Sequence, residues 1–185
     1  MITADEYWSA LQSPFPEFSA SRHCIREYNG NISQEQIINA VRIANNAPSA
    51  CNRQPWHVHF VSDYNVIQQC LAIQGGNRGF GHFTNKLLVL TSDMMSSIRL
   101  YERQSSYIDA GIYLMNLSYS LHYSKVAHCI LHWSQSPATD KKLRKILTVP
   151  DNENIVAMFS CGALPEKCIR VNSPRKAAHE TIVIH

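Results

Sequence analysis

Apolar residues recur at two spacings along this chain, and the alternation between them lays out most of its elements. Ile37, Ala40, Val41 and Ala44 follow one helical face behind Ser33-Gln34-Glu35-Gln36, a capping-box sequence. Tyr7, Trp8 and Leu11 share a side after a second such box, Thr3-Ala4-Asp5-Glu6, in a short helix that Pro14 and Pro16 should end. His57-Val58-His59-Phe60-Val61-Ser62 alternates as a strand, and Lys86 to Thr91, Val126 to Trp133 and Ile155 to Cys161, closed by Gly162, read as three more. Asp63 caps a helix running to about Ile73, before a glycine-rich loop at Gly75, Gly76, Gly79 and Gly81. Ser105 to Tyr123 is the longest helical run, with Ser106 and Asp109 at capping-box spacing and apolar residues nearly all round, which predicts burial in a core or a subunit interface. Thr139-Asp140 should cap a short helix ending near Leu147. Strands interspersed with helices of uneven length indicate an α+β or mixed α/β fold. No repeat or linker divides the chain, so residues 1–185 read as a single domain.

Composition narrows the function classes. Of the 185 residues, 45% are hydrophobic and 17% charged, which excludes disordered and collagen-like chains. The net charge of +3 is mild, and Lys and Arg are scattered, so no nucleic-acid surface is expected. The six cysteines, several inside apolar runs, should be reduced and mostly buried. The first twenty residues lack the basic start and apolar run of a signal peptide, and no apolar stretch approaches the roughly 18 residues of a membrane span. The expected compartment is the cytoplasm, with no membrane partner.

The stretch around which the elements are arranged is Asn46-Ala47-Pro48-Ser49-Ala50-Cys51-Asn52-Arg53-Gln54-Pro55-Trp56. Pro48 and Pro55 stiffen it, and Ser49, Asn52 and Gln54 offer donors and acceptors together. It could also be an ordinary helix-to-strand connection. About two dozen residues earlier stand Arg22-His23-Cys24-Ile25-Arg26. The two stretches together resemble the nitroreductase family of flavoenzymes, whose signature is Arg-x-Ser-x-Arg/Lys followed by a Pro-Ser-x-x-Asn-x-Gln-Pro-Trp loop. The resemblance extends from Arg22 to the tail around Arg175.

That resemblance implies a nitroreductase-like mixed, largely antiparallel sheet flanked by helices, with the C-terminal segment exchanged in a homodimer. It implies FMN as cofactor and NAD(P)H as transient co-substrate. Arg22, Cys24 (at the Ser position, with His23 between) and Arg175 would hold the flavin phosphate. Arg26 would lie along the pyrimidine edge of the isoalloxazine, where a fixed cation stabilises the reduced form. Asn52 and Gln54 would meet the remaining pyrimidine-edge groups, and Ser49 and Ala50 the flavin of the partner subunit. Ile130, Leu131 and His132 occupy the place where the family passes backbone N–H groups over the flavin N5 region, although a plain core strand fits them equally. A thiol is a weaker donor than a hydroxyl, so Cys24 weakens one phosphate contact.

No catalytic acid or base is required, because the flavin carries the chemistry. His57-x-His59 puts two imidazoles on one strand face without the companions of a zinc motif, and no metal is expected. The implied activity is hydride transfer from NAD(P)H, through the flavin, to a small acceptor: a nitroaromatic, a quinone or a dedicated metabolite. The alternative is a flavin-binding or flavin-less sensor or assembly protein on the same fold. Residues 75–104 could form a lid.

Overall fold

The structure is a computed structural model describing residues 1–97 and 99–185; Ile98, within the stretch considered as a lid, lies outside the described residues. Its centre is a four-stranded antiparallel sheet in the order β2 (Trp56–Val61), β3 (Lys86–Asp93), β5 (Glu153–Gly162), β4 (Ala127–His132). The inner strand β3 carries Leu87-Leu88-Val89-Leu90 as an unbroken apolar run because helices cover both faces of the sheet.

One face packs against α3 (Gln34–Ala44) and α5 (Ser105–Tyr123). Ile37, Ala40 and Ala44 of α3 and Tyr113, Leu117 and Leu121 of α5 bury against Trp56, Leu88, Leu90 and Phe159. The Trp56 and Tyr113 rings stack with centroids 4.6 Å apart. The other face packs against α4 (Tyr64–Gln74) and α6 (Pro137–Leu147), where Ile67, Leu71 and Leu143 meet Val61, Leu87, Val89 and Met158. A smaller cluster of Tyr7, Ile25, Tyr28, Ala127 and Cys168 joins α1 (Ala4–Trp8) to the end of the sheet. Beside it a two-stranded pair links β1 (Ile2–Thr3) to β6 (Lys167–Cys168).

Both N-terminal capping boxes form, Thr3 with Glu6 and Ser33 with Gln36. Three local expectations are corrected. Pro14 and Pro16 do more than end a helix: they start α2 (Phe15–Ser21), since a proline in the first turn costs no hydrogen bond. Ser136, not Thr139-Asp140, caps α6, because Pro137 is suited to the position that follows the cap. Ser106 and Asp109 form no capping box on α5, because the Asp109 carboxylate is taken by the backbone N–H of Ala50. Burial of α5 is also partial, since Tyr107, Ile108 and Ile112 are exposed along one side.

Candidate anion and flavin site

Residues 22–28 run extended beside β4, tied to it by the Ile25 N–H donating to the His128 carbonyl at 2.9 Å. Extended backbone alternates its side chains, so Ile25 turns into the small core cluster while Arg22, Cys24 and Arg26 share the opposite side. The Tyr7 hydroxyl fixes the start of the segment by donating to the His23 carbonyl at 3.0 Å and facing the His23 N–H at 3.3 Å. Tyr28 fixes its end, with its hydroxyl 2.7 Å from the Ile25 carbonyl and 2.9 Å from the Ser160 carbonyl.

Arg22 opens onto a cavity of about 460 Å³ lined also by Ser19, His23, Met115, Tyr119 and Arg175. The Nε and Nη1 atoms of Arg22 are buried there without a hydrogen-bond partner. A buried guanidinium with unmet donors is costly unless an acceptor arrives. The charge around the cavity is uniformly positive. The imidazole of His23 is held below its ordinary pKa by burial first, and then by the nearby charges of Arg170, Arg22 and Arg175. Arg170 was not singled out by motif; only the returning chain after β6 brings it here. The donor set fits a phosphate, for which the guanidinium fork supplies parallel charge-assisted bonds.

Arg26 is exposed, with its guanidinium 5.7 Å from the centre of the Phe80 ring. Cys24 is half-buried against the buried Cys129. Its thiol is held below its ordinary pKa, chiefly by the Cys129 thiol beside it, against the opposing effect of burial, and further by the Ile130 N–H and Arg22. Ile130, Leu131 and His132 are the last residues of β4, paired with Phe159, Met158 and Ala157. Ile130 is half-buried, Leu131 is buried, and His132 is exposed with its carbonyl accepting from Gln74 at 3.2 Å.

The second group of expected residues lies elsewhere. Ser49, Ala50, Asn52 and Gln54 form the connection into β2, at the opposite edge of the sheet from residues 22–28. This loop is held rigidly. The Ser49 hydroxyl accepts from the Gln54 N–H at 2.9 Å, the Gln54 side chain donates to Asn52 Oδ1 at 3.0 Å, and Asp109 takes the Ala50 N–H at 3.1 Å. Arg53 pairs with Glu102 at 3.1 Å. Cys51, Asn52 and Gln54 all have positive φ, at 52°, 55° and 49°. Left-handed backbone at three non-glycine positions costs on the order of 1 kcal/mol each and concentrates where a loop positions groups for a ligand. The sequence signalled the rigidity through its prolines, but not Asp109 as its anchor.

His57 and His59 share their strand face as expected, and both engage Glu153: Nδ1 of His57 and Nε2 of His59 each lie 3.0 Å from a carboxylate oxygen. Burial works against ionisation of Glu153, but hydrogen bonds from Thr91 and His59 outweigh it and hold the carboxyl below its ordinary value. Among the described residues, no group of three or more His, Cys, Asp or Glu is placed to hold a metal, and no helix is long and apolar enough to cross a membrane. All six cysteines are free, four of them buried, with Cys24 half-buried and Cys51 exposed.

Comparison with known proteins agrees with this geometry. The nitroreductase family model matches residues 20–74, the span holding both signature stretches. An FMN-dependent nitroreductase of Clostridium difficile R20291 superposes with a TM-score of 0.75 at 18% identity, covering 90% of this chain and 96% of that one. The chain has the nitroreductase fold. A nitroreductase family protein of Streptococcus pneumoniae TIGR4 shares that fold with a TM-score of 0.76 at 19% identity, over 93% of this chain and 100% of its own. The ydfN protein of Bacillus subtilis does so with a TM-score of 0.79 at 15% identity, over 92% and 98%. No curated protein matches the chain. The nitroreductase resemblance of the sequence is thereby matched by a mixed, antiparallel sheet flanked by helices.

Proposed function

We propose that this chain is a single-domain, FMN-dependent oxidoreductase that passes hydride from NAD(P)H to a small organic acceptor. The observation that carries the reading is the pair of buried, partnerless donors on Arg22, facing a cavity that Arg175 shares. Bound there, FMN would supply the hydride-accepting and hydride-donating centre. Arg22 and Arg175 bind the phosphate, with His23 kept neutral beside them. Arg26 places a cation toward the flavin's pyrimidine edge. The backbone of Ile130 to His132 borders the ring.

The loop of Ser49, Ala50, Asn52 and Gln54 stands at the far edge of the same sheet, so it completes the site from a second copy of the chain. A homodimer also gives cover to the exposed Tyr107, Ile108 and Ile112 of α5 and to Ile182, Val183 and Ile184 of the tail, which is exchanged onto the partner. Light scattering after gel filtration is expected to report twice the chain mass, and a monomer would remove the shared-site part of the reading. The cytoplasm is the compartment that suits free thiols and a nicotinamide co-substrate.

The test is a visible spectrum of protein loaded with FMN and freed of excess, followed by NAD(P)H oxidation with quinone and nitroaromatic acceptors. Substituting both Arg22→Ala and Arg175→Ala removes charged hydrogen bonds worth roughly 1.5–3 kcal/mol each, so FMN affinity is expected to fall about 100-fold or more. Unchanged affinity would place the phosphate elsewhere. A second reading, a flavin-binding or flavin-less sensor, is favoured by Cys24, which stands where the family signature has a serine and is the weaker donor to a phosphate. Protein that retains FMN but turns over no acceptor would support it.

A further inference from the structure

Gln74, the last residue of α4, is a buried amide engaged at both ends. Its Nε2 donates to the His132 carbonyl at 3.2 Å, while its Oε1 accepts the Gly76 N–H at 2.7 Å and Asn77 Nδ2 at 3.1 Å. The Gly76 N–H can bond only the oxygen, so the amide has one orientation. Gln135 Nε2 adds a bond to the Gln74 backbone carbonyl at 2.8 Å. The end of β4, an edge strand, is thereby clamped to α4. In a strand the backbone groups of every second residue face the same edge. The carbonyls of His128, taken by Ile25, and of His132, taken by Gln74, therefore hold one edge from its two ends, with Ile130 between them.

The loop that follows, residues 75–83, opens the stretch considered as a lid, yet its polar groups are closed on the body of the protein. Gly75 leaves α4 in the left-handed conformation at φ 75°. Asn77 Nδ2 donates to the Leu71 carbonyl at 2.6 Å, and the Asn77 carbonyl accepts the N–H groups of Phe80 and Gly81 at 3.2 and 2.9 Å. Gln68 Nε2 takes the Gly81 carbonyl at 3.2 Å. These bonds set Phe80 into the core cluster that holds Leu71, Leu87 and Cys129. The ring lies 5.7 Å from the Arg26 guanidinium, within the range of a cation–π contact. One locked segment therefore supports both Arg26 and the end of β4.

We propose that Gln74 and Phe80 are positioning residues for the flavin, an inference that rests on the FMN reading above. Gln74 fixes the end of β4 that borders the ring, and Phe80 seats the guanidinium of Arg26. A charge held in place in advance stabilises an anionic reduced ring without reorganisation at the moment of reduction. The pair therefore raises the reduction potential of bound FMN and contributes little to anchoring its phosphate, which belongs to Arg22 and Arg175.

The test is the reduction potential of the FMN-loaded full chain, measured by equilibration with redox dyes beside the Kd of oxidised FMN. Phe80→Leu keeps an apolar side chain in the core and removes the ring face. Its reduced FMN is expected to bind about 10-fold less tightly relative to oxidised FMN, a fall of about 30 mV for a two-electron couple. Oxidised FMN should lose less than about 3-fold in affinity, since the phosphate contacts are untouched. Phe80→Tyr should keep the wild-type potential, and Gln74→Met, neutral and of similar length, should lower it as Phe80→Leu does. A merely structural role weakens both oxidation states alike and leaves the potential unchanged; that result in variants that bind FMN overturns the proposal alone. Wild-type protein that retains no FMN is a different outcome, which removes the FMN reading and this inference with it. A further check needs neither variant nor flavin. In the flavin-free wild type the N–H groups of Gly76, Phe80 and Gly81 are expected to exchange with solvent at least about 100-fold more slowly than in an unstructured chain. Unprotected exchange there would mean a loop that seats nothing, and would overturn the proposal.

Discussion

Gly162→Ala is expected to destabilise the protein by about 3 kcal/mol or more, lowering its urea midpoint without a comparable change in slope. A Cβ at position 162 would lie 2.5 Å from the Cβ and 2.7 Å from the Cγ of Tyr28. These atoms are the root of the tyrosine, which cannot swing aside as a flexible tip would. Its ring is buried and its hydroxyl is held by the Ile25 carbonyl and by Ser160. Relief therefore requires the backbone of residues 22–28 to move, breaking the 3.0 Å bond from the Asn29 N–H to the Ala163 carbonyl. The same step would displace Arg22 from its cavity, so FMN retention should fail together with stability. Gly111→Ala is the control. Position 111 lies in α5 with nothing within 4 Å of a built Cβ, and alanine there is expected to stabilise by about 0.5–1 kcal/mol. If Gly162→Ala matched wild type in urea, Tyr28 would not be the fixed point described here.

The second large effect is acid sensitivity well above the carboxylate range. His122 and His128 are both fully buried. His128 lies 2.8 Å from the Ser118 hydroxyl and 3.0 Å from the Val126 carbonyl, an arrangement that suits the neutral ring. His122 is 2.8 Å from the Ser21 hydroxyl, has no partner at Nδ1, and is surrounded by the rings of Tyr7, Trp8 and Phe18. Burial is the main cause that brings His122 down to about 3 and His128 down to about 4, with Arg22 adding to both. An unfolded chain takes protons on these groups near pH 6.5 and the native chain does not. Their contribution is therefore complete above pH 6.5 and is lost as the pH falls toward 4 and 3. At about 1.4 kcal/mol per group per pH unit, the pair costs roughly 5 kcal/mol between pH 6.5 and 4.5, a large share of ordinary domain stability. Urea midpoints at pH 7.5, 6 and 5 should fall steadily, and His122→Phe should halve the slope. A midpoint independent of pH over this range would mean that the imidazoles accept protons in place.

How much of this was legible in the sequence depended on the range over which each residue acts. The boxes at Thr3/Glu6 and Ser33/Gln36 satisfy themselves within one turn, so reading the local pattern sufficed. The pattern at Ser106/Asp109 looks the same, but Asp109 is claimed by Ala50, 59 residues away, and local spacing carries no record of such a competitor. The cap of α6 lies three residues before the expected Thr139-Asp140, because Ser136 followed by Pro137 at the first helical position starts the helix earlier. The four strands of the central sheet were found to within a residue or two, by period and by apolar composition, whereas the two-residue strands β1 and β6 are too short to leave a pattern. At the site, Arg22 and Arg175 share a cavity although they lie far apart in the chain, a pairing that came from resemblance rather than from spacing. Arg170 was beyond either route: it arrives on the returning chain, and only the fold brings its charge to bear on His23.

The small pair of β1 with β6 sets how freely Arg175 can work. Ile2 aligned with Cys168, and Thr3 with Lys167, pin the returning chain to the body of the protein. Six residues then lie between Cys168 and Arg175, a leash of at most about 25 Å when drawn straight. Within that radius the arginine searches as though at high local concentration, and an anion that draws it in loses little entropy in doing so. Trimming Ile2 and Thr3, or crowding them with a fused tag, would lengthen the leash without touching any residue of the cavity. The N-terminal edge is thus a place where handling of the protein could alter anion affinity from a distance.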